Sequence, residues 1–272
     1  MDSETAEQLT ARQRAVWTAG DWPKIAPLIQ QVADETVEAI GVGAGDDYLD
    51  VATGSGNAAE AAARRGARVT GLDLIPELVD VARARFDGAD LEGSFVVGDA
   101  EELPFEADSF DRITSIFGAI FAPRHQVAAD ELVRVARPGA MIAVTGWTPE
   151  GINGQLIKIL AERMPPPPDG FEPPALWGVE DHVSELFAGP GLELRFEKRM
   201  ATMEFESADR WMEYTEENLG PVVMAKALLE PQGQWDAVRA DLAALQERSN
   251  EVDDGSVRAR AEYLLTMVSV QT

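Results

Sequence analysis

Two glycines, Gly54 and Gly56, stand one residue apart after an apolar run that passes through Asp50, and the small residues Asn57-Ala58-Ala59 follow. A glycine turn between a strand and a helix N-terminus lets backbone N–H groups meet a nucleotide-like ligand. Gly54-Ser55-Gly56-Asn57-Ala58-Ala59 fits the relaxed dinucleotide pattern G-x-G-x-x-A, and Asp73 lies at a suitable distance to bind a ribose hydroxyl. A triphosphate loop is rejected, because no Lys-Ser or Lys-Thr follows the glycines to pair with β- and γ-phosphates.

Three features turn the choice away from a dinucleotide. Asp50, four residues before Gly54, would repel a pyrophosphate but suits a ligand that carries an ammonium and a sulfonium. Asp99, in "VVGDAEELPF" (96–105), closes another apolar run. There its carboxylate can accept from an adenine amino group while the Ala100 N–H reaches a ring nitrogen. Finally, short-chain hydride-transfer enzymes need Tyr-x-x-x-Lys, and none of Tyr48, Tyr214 and Tyr263 has a lysine four residues on.

Other chemistry-bearing residues are few. His125 and His182 are the only histidines. His125, in "FAPRHQ", follows a fourth apolar run at the carboxyl end of the expected sheet and is the candidate general base, against the reading that it merely starts a helix or meets solvent. His182 reads as helix surface. Neither histidine sits in a ligand-spaced cluster along the chain, so no metal is expected. Glu101 and Glu102 read as solvated surface. Trp17 and Trp22, in "VWTAGDW", are either core aromatics or faces that attract a sulfonium by cation–π interaction.

The elements that must position these residues alternate. Residues 5–40 read as helical with a break at 17–22. Strands are expected at 47–53, 67–73, 94–99, 110–118 and 140–147, with helices at 57–66, 76–86 and 126–139 between them. Gly66 and Pro138-Gly139 end helices, and Pro76 suits a first helical position. This alternation predicts an α/β fold: a doubly wound, mostly parallel sheet with helices on both faces. After Trp147 the pattern changes to a proline-rich loop (164–174), whose "PPPP" run (165–168) reads as a rigid lid or linker. A long strand or hairpin at 192–205, two or three helices in 208–249 and an antiparallel closing strand at 258–270 follow.

Composition narrows the partners. The chain has 272 residues, 45% of them hydrophobic, and no cysteine, which removes disulfides, thiolate metal sites and a cysteine nucleophile. No apolar run is long enough for a membrane span, and "MDSETAEQLTARQ" has no apolar secretory core, so a cytoplasmic protein is expected. Against 48 acidic residues stand 23 basic ones, a formal charge of −25. Such a surface repels phosphate backbones and anionic lipid, so neither nucleic acid nor membrane is expected as a partner. Four lysines against 19 arginines fit a high-GC genome, and the acidity fits adaptation to a salty cytosol.

The stretches "YLDVATGSGNAA", "VTGLDL", "GDAEELPF", "FDRITSIFGAIFAP" and "ELVRVARPGAMIAVTGW" cover residues 47–147. In order and spacing they resemble a class I S-adenosylmethionine-dependent methyltransferase of the type-11, ubiquinone/menaquinone C-methyltransferase-like branch. The resemblance implies a Rossmann-like sheet and S-adenosylmethionine as cofactor. Asp50, Gly54 and Gly56 would line its methionine end, Asp73 would take the ribose hydroxyls, and Leu74 would pack on the adenine. Asp99 and Ala100 would read the adenine edge, and Ser115 and Ile116 would offer backbone to the amino-acid portion. The serine of "TSIFG" stands one residue earlier than in the quinone enzymes, and Ala140 replaces a common second glycine. "VWTAGDW" resembles the helix break that closes over the cofactor.

The implied division is a helical lid (1–46), a cofactor-binding core (47–147) and a helical substrate cap with the last strands (148–272). Trp147, Met164, Phe171, Trp177, Met203, Trp211, Met212 and Met224 are the apolar residues available for an acceptor pocket, and a small apolar or aromatic metabolite fits them best. Kept beside this reading are an NAD(P)-dependent oxidoreductase, carried by G-x-G-x-x-A, and a non-catalytic S-adenosylmethionine-binding protein.

Overall fold

A computed structural model describes residues 3–166 and 170–271; the proline run at 165–168 lies partly outside them. In chain order the elements are α1 (Ser3–Ala19), α2 (Trp22–Ile25), α3 (Gln30–Ala39), β1 (Asp47–Val51), α4 (Asn57–Ala63), β2 (Arg68–Asp73), α5 (Pro76–Gly88), β3 (Gly93–Val97), β4 (Phe110–Ile116), α6 (His125–Val135) and β5 (Ala136–Trp147). There follow α7 (Ile152–Ala161), α8 (Glu180–Leu186), β6 (Leu192–Phe205), α9 (Ala208–Asn218), α10 (Gly220–Leu229), α11 (Trp235–Ser249) and β7 (Val257–Val270).

The seven strands form one sheet in the order β3-β2-β1-β4-β5-β7-β6. Strands β1 to β5 are parallel, and β7 runs antiparallel to both β5 and β6. From β1 the chain steps outward through α4 and α5 to β2 and β3, then returns to the other side of β1 for β4 and β5. Right-handed crossovers in opposite directions put the helices on opposite faces and open a crevice beyond the carboxyl ends of β1 and β4. That crevice holds the site.

Burial follows the sequence pattern. β1 and β4 bury Leu49, Val51 and Ile113, and α6 presents Ala128, Ala129, Leu132 and Val135 to the core at helical spacing. Each fully buried leucine, isoleucine or valine among these contributes about 1.5–3 kcal/mol from removal of apolar surface from water. The edge strand β6 alternates, half-buried Leu194, Phe196 and Met203 against outward Glu193, Arg195 and Lys198, and its charges blunt pairing with another chain. Among the described residues no helix is long and apolar enough to cross a membrane.

Some element ends differ from expectation. The helix expected over 126–139 ends at Val135, and Ala136 pairs with Phe110 across a register shift. Pro138 pushes the residue before it out of helical geometry, so β5 starts early. Of the long strand or hairpin expected over 192–205, the structure has the single strand, paired along its whole length with β7. Three helices, α9 to α11, are inserted between these two partners. The N-terminal segment also divides: α1 and α2 cover the crevice, whereas α3 buries Val32, Ala33, Thr36 and Val37 against the body of the fold.

Candidate functional site

The turn after β1 is built from residues in left-handed conformation. Gly54 has φ +54° and faces open space, and Gly56, at the start of α4, has φ +86°. Two residues without glycine's freedom join them, Ala52 at φ +57° and Phe117 at φ +51°, each directly beyond β1 or β4. Strained backbone at adjacent strand ends marks a place where geometry is held for a purpose. The alanine at 52 carries no sign of this in its residue type.

Asp50 is 2% exposed. One carboxylate oxygen accepts from the Thr53 hydroxyl at 2.7 Å and the Ala59 N–H at 3.2 Å, and the other accepts from the Thr114 hydroxyl at 3.1 Å. Burial pushes its pKa up to about 6 in spite of these donors. Asp73, also buried, accepts the Gly54 N–H at 2.8 Å and the Ile75 N–H at 2.9 Å, and burial raises its pKa as well. Both carboxylates keep acceptor capacity, since each oxygen has two lone pairs. Asp99 accepts the Glu101 N–H at 2.9 Å and the Thr10 hydroxyl of α1 at 3.3 Å, joining the end of β3 to the lid.

These groups surround one cavity of about 270 Å³. Asp50, Gly54, Asp73, Leu74, Asp99 and Ala100 line it from the ends of β1, β2 and β3, and Ile116 from β4. Trp17 and Trp22 close it from above, with ring centres 4.5 Å apart, and Phe121 meets Trp17 edge-on at 4.4 Å. The Trp22 indole N–H donates to the Trp17 carbonyl at 2.6 Å. The far wall is apolar: Trp147 stacks on Phe117 at 3.6 Å, and Leu156, Met203, Phe205 and Trp211 complete it. Lid and cap are joined where the Asp21 N–H donates to the Asn218 carbonyl and the Tyr214 hydroxyl donates to the Lys24 carbonyl.

Not every expected residue reaches this cavity. Gly56 and Ser115 lie behind its wall: Gly56 faces Ala82, and the Ser115 hydroxyl donates to the Val51 carbonyl and accepts the Ala119 N–H, tying β1 to β4. Of the apolar set, Trp147, Met203 and Trp211 face the cavity, while Trp177 and Met212 are core. Glu101 is not solvated surface: it is buried and pairs with Arg124 at 2.7 Å.

His125 also lies outside the cavity and is not placed to act there as a general base. Its Nδ1 shares a hydrogen bond with His182 Nε2 at 3.0 Å, its backbone N–H donates to Glu172 at 2.7 Å, and its Nε2 has no partner among the described residues. Burial and then the neighbouring His182 push its pKa down to about 3. His182 is therefore no plain surface residue. Contrary to the expectation from chain spacing, His125, Glu172 and His182 bring three ligand-type atoms within 4.8 Å of one another.

The chain is similar to known proteins over most of its length. A family model described as a methyltransferase domain matches residues 49–144. An uncharacterized protein of Mycobacterium tuberculosis is 41% identical over 214 residues, 78% of either chain. A demethylmenaquinone methyltransferase of Clavibacter sepedonicus is 38% identical over 109 residues, 40% of this chain and 44% of that one. The crystal structure of the YcgJ protein of Bacillus subtilis superposes with a TM-score of 0.61 at 18% identity, over 88% of this chain and 98% of that one. The family match disfavours the nicotinamide and non-catalytic alternatives. With the glycine turn, the strand-end aspartates and the 3-2-1-4-5-7-6 sheet, these likenesses place the chain in the class I S-adenosylmethionine-dependent methyltransferases.

Proposed function

We propose that the protein moves a methyl group by in-line displacement from S-adenosylmethionine to a small apolar or aromatic metabolite. One observation carries this reading: a single cavity joins an aspartate-lined end at β1–β3 to an apolar, aromatic end under the cap. When bound, the cofactor supplies an electrophilic methyl on a sulfonium, with a neutral leaving group. In this reading Asp50 pairs with the cofactor's ammonium, Asp73 with its ribose hydroxyls, and Asp99 with Ala100 reads the adenine edge. Leu74 packs on the base, the backbone near Ile116 meets the amino-acid portion, and Trp17 and Trp22 screen the sulfonium from water. Trp147, Met203, Phe205 and Trp211 seat the acceptor opposite. Holding the acceptor atom behind the methyl supplies up to about 7–11 kcal/mol by positioning alone.

The cavity wall also constrains the acceptor. Among the described residues, its titratable groups are Asp50, Asp73, Asp99 and Tyr214, and it has no histidine or lysine. The aspartates belong to the cofactor end, and the Tyr214 proton is given to the Lys24 carbonyl. An acceptor must therefore be nucleophilic as it binds: a neutral amine, a phenolate or a stabilised carbanion. The lid, core and cap divide at about residues 46 and 147, with the cap choosing the acceptor.

A melting panel tests the reading. S-adenosylhomocysteine is expected to raise the melting temperature and NAD or NADP to leave it unchanged; stabilisation by NAD alone would defeat it. Release of S-adenosylhomocysteine on addition of S-adenosylmethionine and an extract of small apolar metabolites then reports turnover.

A further inference from the structure

The only two histidines of the chain lie 57 residues apart in sequence and meet in space, with Glu172 beside them. His125 is the first residue of α6, His182 lies in α8, and Glu172 comes from the loop between α7 and α8. We propose that His125 Nδ1, His182 Nε2 and a Glu172 carboxylate oxygen form a binding site for one divalent zinc ion, separate from the methyl-transfer cavity.

The chemistry of the donors selects the ion. Two imidazoles and one carboxylate with no thiolate match zinc held by three protein ligands with water in the fourth position. At a zinc–nitrogen length of about 2.0–2.1 Å, two ligands of a tetrahedral ion stand about 3.3 Å apart. The two ring nitrogens are 3.0 Å apart, and all three ligand atoms lie within 4.8 Å. The site closes around an ion by shifts of a few tenths of an ångström in the rings and a rotation of the half-buried Glu172 side chain.

The surroundings agree. Each ring needs its facing nitrogen bare to coordinate, and a neutral imidazole meets this by carrying its proton on the opposite nitrogen. For His125 that is the buried Nε2, whose missing partner the bound ion must offset. The nearby cation, Arg124, is already neutralised by Glu101, while Glu180, Asp181 and Glu185 on α8 add negative charge. Glu172 is held in place from the other side, since its N–H donates to the Pro123 carbonyl at 3.1 Å. Pro123 lines the methyl-transfer cavity. An ion here would clamp the α7–α8 loop and α8 to the segment that forms one wall of the active cavity.

The test uses the full-length protein and zinc as the probe. Protein loaded with zinc and dialysed is expected to retain one ion per chain by elemental analysis, and His182→Gln and Glu172→Gln to retain none above the buffer control. Both side chains are only partly buried, and circular dichroism checks that the variants fold. Competitive titration should show zinc binding weakened by more than the roughly 10–100-fold that outer-sphere changes cost. Cobalt substitution should give the ligand-field absorption of a four-coordinate ion in the wild type alone. Retention below one equivalent, or equal retention by the variants through surface carboxylates, would overturn the site and leave a plain histidine–histidine hydrogen bond. Because these readouts need no cofactor, they fail independently of the methyltransferase reading.

Discussion

The Asp73 carboxylate accepts the Gly54 N–H at 2.8 Å, so the end of β2 holds the glycine turn that follows β1. The same side chain accepts the Ile75 N–H and lines the cavity. It shapes the turn and faces the ligand together. Asp73→Ala is therefore expected to lower stability and cofactor affinity in one step. Each charge-assisted hydrogen bond lost is worth about 1.5–3 kcal/mol. Asp73→Asn, which keeps one acceptor oxygen, should melt between alanine and wild type yet still bind poorly. Calorimetry with S-adenosylhomocysteine and thermal melts separate the two losses; unchanged affinity in folded Asp73→Asn would leave Asp73 only its structural part.

Asp50 makes affinity depend on pH. Its carboxyl titrates at about 6 in the folded protein against 3.8 ordinarily, because burial disfavours the charge. A raised folded pKa adds stability below pH 3.8 that is lost as pH rises through about 6. An ammonium ligand needs the ionised form, so affinity should move the other way. It should be flat above pH 7 and fall about tenfold per unit below 6. Asp50's own share of cofactor-free stability rises there against the loss from carboxylates such as Asp47 and Glu131, whose pKa values their arginine partners lower. Asp50→Asn can turn its carbonyl to the Ala59 N–H and its amide to Thr114. This variant should remove Asp50's share of both profiles and leave that of Asp73, whose pKa burial also raises. A pH-independent dissociation constant in the wild type would sink the pairing.

Ala52 and Gly118 form a coupled pair. Gly118 has φ −113°, a conformation open to any residue, yet a Cβ there would fall on the Ala52 methyl. Gly118→Ala should cost about 1–3 kcal/mol by overpacking. Ala52→Gly removes left-handed strain of about 1–2 kcal/mol and adds back about 0.5–1 kcal/mol of chain entropy, for a small net gain. Combined, the two changes should destabilise by at least about 0.5 kcal/mol less than their sum, as residues in contact do. Additive melts would mean that the backbone shifts aside instead.

The charge of −25 predicts a response to salt. Repulsion acts over about 30 Å at 0.01 M salt and about 3 Å at 1 M, so the melting temperature should climb with KCl, most steeply at the low end. Arginine pairs work against this. Arg137 bridges Asp47 and Asp111, and Arg239 joins Lys226 on Glu216, and salt weakens such exposed pairs. A flat series would show that these local pairs, not long-range repulsion, govern the surface.

What could be read from the sequence was what is local. Asp50, Gly54, Asp73 and Asp99 each sit at a strand end with a short motif around them, and all four line the cavity. Pairings across long separations were silent. Glu101 and Arg124 are 23 residues apart, and Glu172 and His125 are 47 apart, with nothing near either to announce the partner. Ala52 hid its positive φ behind an ordinary residue type, and His125 misled because the end of a parallel strand usually points at chemistry. Here the chain turns at Pro123 before His125, and the ring enters the opposite side of the wall.

Lid and cap are stitched together by Asp21 to Asn218 and by Tyr214 to Lys24. The two ends they cover belong to one cavity, so loosening these contacts would open both ends at once. In the proposed reading, spent cofactor and methylated product would both depend on this one lid–cap seam. Loop and lid openings of this kind run on microsecond to millisecond timescales and often pace turnover. Tyr214→Phe, which removes the hydroxyl that ties the cap to the Lys24 carbonyl of the lid, would alter the tempo of exchange for both.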